Sequence, residues 1–289
     1  KLGVKPENIV MCDSKGVITT SRKDLTKEKI EFATSRNFST LEEAMVGSDV
    51  FIGLSKGDVV STEMVQSMAK DPIVFAMANP DPEISYNLAI KSRKDIIMAT
   101  GRSDHPNQVN NVLGFPFIFR GALDVRASKI NEEMKMAAVH ALADLAKEPV
   151  PEQVNIAYKE KKLHFGKDYI IPKPFDHRLI TQIPPAVAKA AMETGVARKT
   201  IDIDEYREQL AFRQGKGARM RYFFMNKARS AKPLMRVVFA EGEESKIIRA
   251  AVQVQEEKIA SPILIGHPEV IKAKAAELAL DVECQIFDP

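Results

Sequence analysis

Three places in the 289-residue chain put polar side chains at or just beyond the end of a short apolar run, which is where β-α-β proteins bind ligands. The first is Asp13, after Asn8-Ile9-Val10-Met11-Cys12. A carboxylate there holds the adenosine ribose of a dinucleotide, about 20 residues after a glycine-rich turn. No such turn precedes it in this chain, and a turn-forming aspartate explains the position equally well. Ser14, Lys15 and Lys29 add a hydroxyl and two ammonium groups, which favour a ribose 2′-phosphate and so NADP over NAD. A lone carboxylate would repel that phosphate. The second place is Asn79, in Ala76-Met77-Ala78-Asn79-Pro80-Asp81-Pro82-Glu83. Its amide stands where it could touch substrate or nicotinamide, although Asn-Pro is also a common turn. The third is the loop from Gly101 to Val112. Asn110 and Asn111 each offer donors and acceptors, suiting a hydroxyl, a carboxylate and a carboxamide together. His105 is its candidate for acid-base work, against the plainer reading of a solvated loop histidine, and Asp104 caps a turn.

The elements that must position these residues follow from periodicity. The runs ending at Asp13, Leu54, Met77 and Ala99 are short and apolar, as strands buried on both faces should be. Amphipathic stretches over 26–35, 41–46 and 62–69 separate them, predicting a parallel, doubly wound sheet. The opening Lys1-Leu2-Gly3-Val4 reads as a glycine-capped helix end. From Asn131 to Lys147 the pattern predicts one helix, stopped by Pro149 and Pro151. Pro185 opens a helix ending at Gly195, and 203–212 is a last helix before a boundary. The segment 165–176 reads as an extended, proline-locked strip along the surface, with Asp168, Lys173 and Asp176 as minor site candidates. Alternation then restarts, with strands over 235–240, 262–266 and 282–287 and helices over 244–257 and 268–278.

Composition narrows the classes. Charged residues are 28% and hydrophobic residues 45%, an ordinary globular balance, and a net charge of +3 gives no general argument for nucleic-acid binding. The run 213–232 holds seven basic and no acidic residues; a solvated linker is favoured over a nucleic-acid patch. Two distant cysteines, Cys12 and Cys284, suit a reducing cytoplasm. No run reaches the roughly 18 apolar residues of a membrane helix. No CxxC, His-x-x-x-His or dense carboxylate group marks a metal site in the segment.

The segments together resemble malic enzymes of the bacterial hybrid type, NADP-dependent and followed by a phosphotransacetylase-like tail. The resemblance rests on 10–16, 51–55, 75–83, 100–104, 106–112 and 117–125, the paired-asparagine loop being the most specific. From about Lys232, residues 236–244, 249–251 and 259–266 are similar to the opening of a phosphotransacetylase. The resemblance implies oxidation of malate, loss of CO₂ and release of pyruvate, with NADP and a divalent metal, Mg²⁺ or Mn²⁺. It implies that Asn79 and Asn111 contact malate and the reacting end of the cofactor, with Asn110 at the nicotinamide ribose. Asp13 would lie at the adenosine ribose, and Ser14, Lys15 and Lys29 at positions tied to NADP preference. The family's catalytic tyrosine and lysine, its metal ligands and its glycine turn are expected upstream of Lys1, so no catalytic or metal residue is expected in this segment, which alone should catalyse nothing. The tail is expected to regulate, through an acetyl-CoA-type effector, and to support a homo-oligomer.

The expected architecture is α/β: a Rossmann-type doubly wound parallel sheet, incomplete at its N-terminus, with a helical extension over 1–212. A basic linker over 213–232 and the start of a second α/β domain over 233–289 complete it. Phosphate acetyltransfer and a non-catalytic metabolite-sensing module are the alternative functions; nucleic-acid and membrane partners are not expected.

Overall fold

The computed structural model describes residues 3–158, 162–214, 224–225, 227–278 and 280–289. The chain divides into two compact units, Lys1–Val109 and Asn110–Pro289.

The first unit opens on a small antiparallel hairpin, β1 (Cys12–Asp13) with β2 (Gly16–Val17). Asp13 therefore does not end a strand of the parallel sheet, as its apolar approach suggests. The Ser14-Lys15 turn reverses the chain before it can extend. Gly16 is required twice over: its φ is +100°, and a Cβ there would lie 2.5 Å from the Ser39 carbonyl oxygen.

Short helices α1 (Lys27–Ile30) and α2 (Leu41–Met45) follow, then β3 (Val50–Gly53), α3 (Thr62–Ser67), β4 (Ile73–Ala76), α4 (Tyr86–Ser92) and β5 (Ile97–Thr100). The sheet order is β3-β4-β5, all parallel, with Val50 opposite Ile73 and Ile73 opposite Ile97. Each helix is started by a hydroxyl side chain. Thr26, Thr40, Ser61 and Ser85 accept from the third helical N–H of α1 to α4 respectively, and Thr40 forms a capping box with Glu43. Met45, Met64, Val65, Met68 and Ala89 from the helices bury Phe51, Val74, Ala76 and Met98. All of these lie on one face. Strands alternate their side chains, so the opposite face of β3 stays open: Val50 is 48% and Ile52 60% exposed. The expectation of burial on both faces does not hold for β3.

The second unit begins with α5 (Phe115–Asp124), α6 (Glu132–Lys147), α7 (Glu152–Ala157), α8 (Leu179–Glu193) and α9 (Ile203–Arg213). Leu113, Val125, Met134, Leu145, Ile183, Val187 and Leu210 form their shared core. Helix α8 starts six residues before the position its prolines suggest, with Pro184 and Pro185 inside it. Two missing N–H donors are tolerated because the surrounding face is deeply buried and repays the lost bonds with packing. Gly121 of α5 lets that helix approach: a Cβ there would sit 2.5 Å from the Pro184 carbonyl.

The 165–176 segment lies only partly along the surface: Phe165, Asp168 and Phe175 are exposed, but other side chains turn inward. Tyr169 is 2% exposed, and the Asp176 carboxylate is buried against Arg178 at 2.7 Å. Arg178 also donates to the Pro149 carbonyl at 2.8 Å, tying the end of α6 to the start of α8. The unit ends with β6 (Arg236–Phe239), α10 (Ser245–Glu256), β7 (Ser261–Ile265), α11 (Pro268–Glu277) and β8 (Gln285–Phe287), strands β6-β7-β8 being parallel. Residues 1–2 and half of the basic run 213–232, namely 215–223 and 226, lie outside the described residues.

Candidate functional site

Asp13, Lys15 and Lys29 come together in the first unit, with two residues the sequence did not single out, Arg22 and Asp24. The Asp13 side chain accepts on one oxygen from the Lys15 backbone N–H at 2.9 Å and from Arg22 at 2.9 Å. Its other oxygen accepts from Arg22 at 3.1 Å and Lys29 Nζ at 2.5 Å. A carboxylate has about four acceptor sites, so all of those on Asp13 are taken. Arg22 and then Lys29 hold its carboxyl well below the usual range. Arg22 also grips Asp24, through Nε at 3.0 Å, and Lys15 Nζ reaches the same carboxylate at 2.7 Å. Lys29 reaches Asp13 from α1, whose start is fixed by the Thr26 cap. Ser14 stands exposed at the turn. Three cations thus ring two carboxylates. Arg22 sits in a polar stretch, Thr19-Thr20-Ser21-Arg22-Lys23-Asp24, with no periodicity to mark it.

Asn79 is exposed, just past β4, and its peptide bond to Pro80 is cis. What fixes its loop is Glu83, which is 0% exposed. One Glu83 oxygen accepts from the Ser55 N–H at 2.9 Å, beyond β3; the other accepts from the Ala78 N–H at 3.0 Å, beyond β4. One buried carboxylate therefore clamps two neighbouring strand ends and closes the loop that carries the exposed Asn79. Pro82 and Glu83 carbonyls continue the clamp by accepting from Asp58 and Val60. Sequence reading passed over Glu83, because burial of a carboxylate beside two prolines leaves no pattern in composition.

The polar loop after β5 is pinned back onto its strand. Val109 N–H donates to the Thr100 carbonyl at 2.8 Å, and the buried Asn107 amide donates to the Met98 carbonyl at 3.0 Å. His105 is not a solvated loop residue: its ring stacks on Tyr86 with centroids 4.5 Å apart. In the second unit, Asn110 Oδ1 accepts from the Val112 N–H at 3.0 Å and starts the turn Asn111–Leu113. Leu113 is buried in the helical core, which leaves Asn111 facing solvent. Asn79 belongs to the first unit, and Asn110 and Asn111 to the second.

Among the described residues, no group of three or more His, Cys, Asp or Glu is placed to hold a metal ion, and no helix is long and apolar enough to cross a membrane. A half-open cleft of about 600 Å³ lies in the second unit, between the segment around Glu148–Phe165 and α10. Its cations Lys162 and Arg249 face Glu256 at 2.9 Å and Glu152 at 3.7 Å, and none of the residues expected to bind ligand lines it.

Comparison with known proteins gives this geometry its family. The family model described as "Malic enzyme, NAD binding domain" matches residues 5–163, and "Phosphate acetyl/butaryl transferase" matches 220–289. An NADP-dependent malic enzyme of Rhizobium meliloti is 51% identical over 284 residues, 98% of this chain and 37% of that protein. An NAD-dependent malic enzyme of the same organism is 46% identical over 297 residues, covering 100% of this chain and 38% of the relative. The crystal structure of Entamoeba histolytica malic enzyme superposes with a TM-score of 0.62 at 31% identity, over 96% of this chain and 50% of that one. The chain thus spans well under half the length of those two relatives, and relatives named for either cofactor are nearly as similar to it. With more than half of its residues under the first model, the chain belongs to the malic enzyme family.

Proposed function

We infer that this chain forms the cofactor-facing part of an NADP-dependent malic enzyme, which oxidises malate to oxaloacetate, releases CO₂ and leaves pyruvate. The observation that carries the reading is the cluster in which Arg22 and Lys29 hold Asp13 and Lys15 holds the neighbouring Asp24, on a chain of this family. A neutral dinucleotide ribose needs one carboxylate; three cations beside it suit a 2′-phosphate. Because Asp13 has no spare acceptor site, it takes the ribose hydroxyls only when Lys29, its more exposed partner, turns from it toward the phosphate. The nicotinamide, when bound, accepts the hydride. Asn79 and Asn111 bind malate and the reacting end of the cofactor through amides that donate and accept at once, and Asn110 sits at the nicotinamide ribose.

The family's divalent metal, Mg²⁺ or Mn²⁺, would polarise the ketone as CO₂ leaves. The described residues offer it no donor set, so no step is assigned to it here. Residues 1–212 are read as the cofactor domain with its helical extension, 213–232 as a linker, and 233–289 as the start of a regulatory domain for an acetyl-CoA-type effector. The protein is read as a cytoplasmic homo-oligomer acting on malate, without nucleic-acid or membrane partners. A second reading, acetyl transfer between CoA and phosphate, rests on the match over 220–289 alone. Kinetics of the full-length protein test the first. Asn79→Ala and Asn111→Ala should each lower kcat/KM for malate by about 10- to 100-fold, the scale of one lost hydrogen bond to a charged group. Values within about twofold of wild type would overturn these assignments.

A further inference from the structure

Arg22 is the centre of the cluster around Asp13, and its guanidinium has no donor to spare. Its five N–H groups meet five contacts. Nε donates to Asp24 Oδ1 at 3.0 Å; one terminal nitrogen donates to Asp24 Oδ2 and Asp13 Oδ2, both at 3.1 Å. The other donates to Asp13 Oδ1 at 2.9 Å and to the Val17 carbonyl at 3.4 Å. Lys15 Nζ completes the Asp24 side at 2.7 Å. A new anion reaches Arg22 only by displacing one of the carboxylates.

The two carboxylates are not equivalent. Asp13 is 17% exposed and held by Arg22, Lys29 and the Lys15 backbone N–H; Asp24 is 40% exposed and held by Arg22, Lys15 and, to a lesser degree, its own backbone N–H. The arriving anion meets Asp24 first. The two Asp24 oxygens lie on the guanidinium fork as two oxygens of a phosphate monoester would, with Lys15 on one of them. A neutral ribose hydroxyl has no charge with which to compete for that fork.

We propose that Asp24 is a built-in competitor for the ribose 2′-phosphate: it fills the Arg22–Lys15 anion site until a 2′-phosphorylated dinucleotide displaces it, and so limits how strongly the chain selects NADP over NAD. This rests on reading the Asp13 cluster as the adenosine-ribose end of the cofactor site. The cluster holds three cations against two carboxylates, and removing Asp24 leaves two uncompensated cations instead of one. Ligands with a 2′-phosphate then gain a free guanidinium edge and lose a repelling neighbour, while NAD and 5′-AMP, which lack that phosphate, have no group to place there. If Asp24 instead served to hold Arg22 and Lys15 in place, removing it would weaken the phosphorylated ligands.

The test is equilibrium binding to the full-length protein, wild type against Asp24→Asn and Asp24→Ala, with NADP, NAD, adenosine 2′,5′-bisphosphate and 5′-AMP as probes. Both variants should bind NADP and the bisphosphate about three- to tenfold more tightly, the scale of one partly exposed charge contact, and NAD and AMP within about twofold of wild type. Unchanged or weaker binding of the phosphorylated pair overturns the proposal. Arg22→Gln separates the two levels of failure. If it weakens only the phosphorylated probes while the Asp24 variants change nothing, the role of Asp24 falls alone. If wild type does not distinguish the bisphosphate from AMP and Arg22→Gln alters neither, the cofactor reading falls and the proposal with it.

Discussion

A Cβ on Gly53 would stand 2.3 to 2.6 Å from the Glu83 carboxyl group, inside any contact distance. Gly53→Ala should therefore push Glu83 off the Ser55 and Ala78 N–H groups and destabilise the fold by about 1–3 kcal/mol or more, read as a lower urea midpoint. An unchanged midpoint would mean the clamp is looser than its two hydrogen bonds indicate. Glu83→Gln, which keeps an acceptor for one N–H only, should fall between wild type and Glu83→Ala. A second residue pair gives a pH dependence. The His267 ring nitrogen meets Glu243 Oε1 at 2.7 Å, which raises the His267 pKa from 6.5; the His267 backbone N–H, at 2.8 Å from the same oxygen, and then the ring lower that of Glu243 from 4.5. A raised histidine stabilises fully below its unfolded value and loses that contribution as pH rises through its folded pKa. A lowered glutamate contributes above its unfolded value and loses it as pH falls through its folded one. The pair is thus strongest between about pH 4.5 and 6.5. In an NMR titration His267 should titrate above 6.5 and return toward it in Glu243→Gln; no difference between the two proteins would discount the contact. At this scale sequence reading singled out Asp13 and Lys15 because they close a strand-like run, and Lys29 because it lies one helical stretch on. It missed Arg22, Asp24 and Glu83, whose partners are fixed by chain reversals that no local pattern encodes.

The elements were more legible than the contacts. Strands β3 and β4 fall inside the apolar runs and β5 oversteps its run by one residue, because apolar length is a local property; α1 to α3 overlap the expected amphipathic stretches, whereas α4, capped by Ser85, falls outside them. Cys12–Asp13 looked like one more parallel strand because its apolar approach is the same; only the two-residue turn that follows makes it a hairpin. Helix α8 was misplaced because Pro184-Pro185 reads as a start signal, whereas burial of Leu179, Ile183 and Val187 carries the helix through. Its neighbours confirm how tightly it is held: Gly121 of α5 touches the Pro184 turn, and Asp124 of the same helix accepts from the Tyr206 hydroxyl of α9 at 2.6 Å. Burial, then the bond to Asp124, pushes the Tyr206 pKa well above its ordinary value. Tyr206→Phe should lower stability by about 0.5–1.5 kcal/mol in chemical denaturation, a typical hydrogen bond, with helicity unchanged. Arg178→Ala should cost more, about 3–5 kcal/mol, because it strands the buried Asp176 carboxylate between α7 and α8. Equal effects of the two substitutions would contradict the burial of that ion pair.

Of the residues proposed to bind ligand, Asp13, Lys15, Lys29 and Asn79 lie in the first compact unit, and Asn110 and Asn111 in the second. Sequence reading placed a boundary near 213–232, where composition shifts, and it had no means to see a division at Val109, inside one continuous polar loop. The open apolar face at Val50 and Ile52 was equally hidden, since the run is apolar at every position and only helix placement decides which side is covered. Relatives named for NAD and for NADP match this chain at 46% and 51% identity, so overall similarity does not fix the cofactor, and the NADP reading rests on the proposed role of the Asp13 cluster. The most direct measurement is malate-dependent dinucleotide reduction by the full-length protein with Mn²⁺, followed by absorbance with NADP and NAD in parallel and with pyruvate assayed in the same mixture. The account predicts NADPH and pyruvate in equal amounts, with kcat/KM for NADP at least about tenfold above that for NAD and the preference reduced in Arg22→Gln. Reduction of NAD and NADP at equal efficiency, or none with malate, would contradict it.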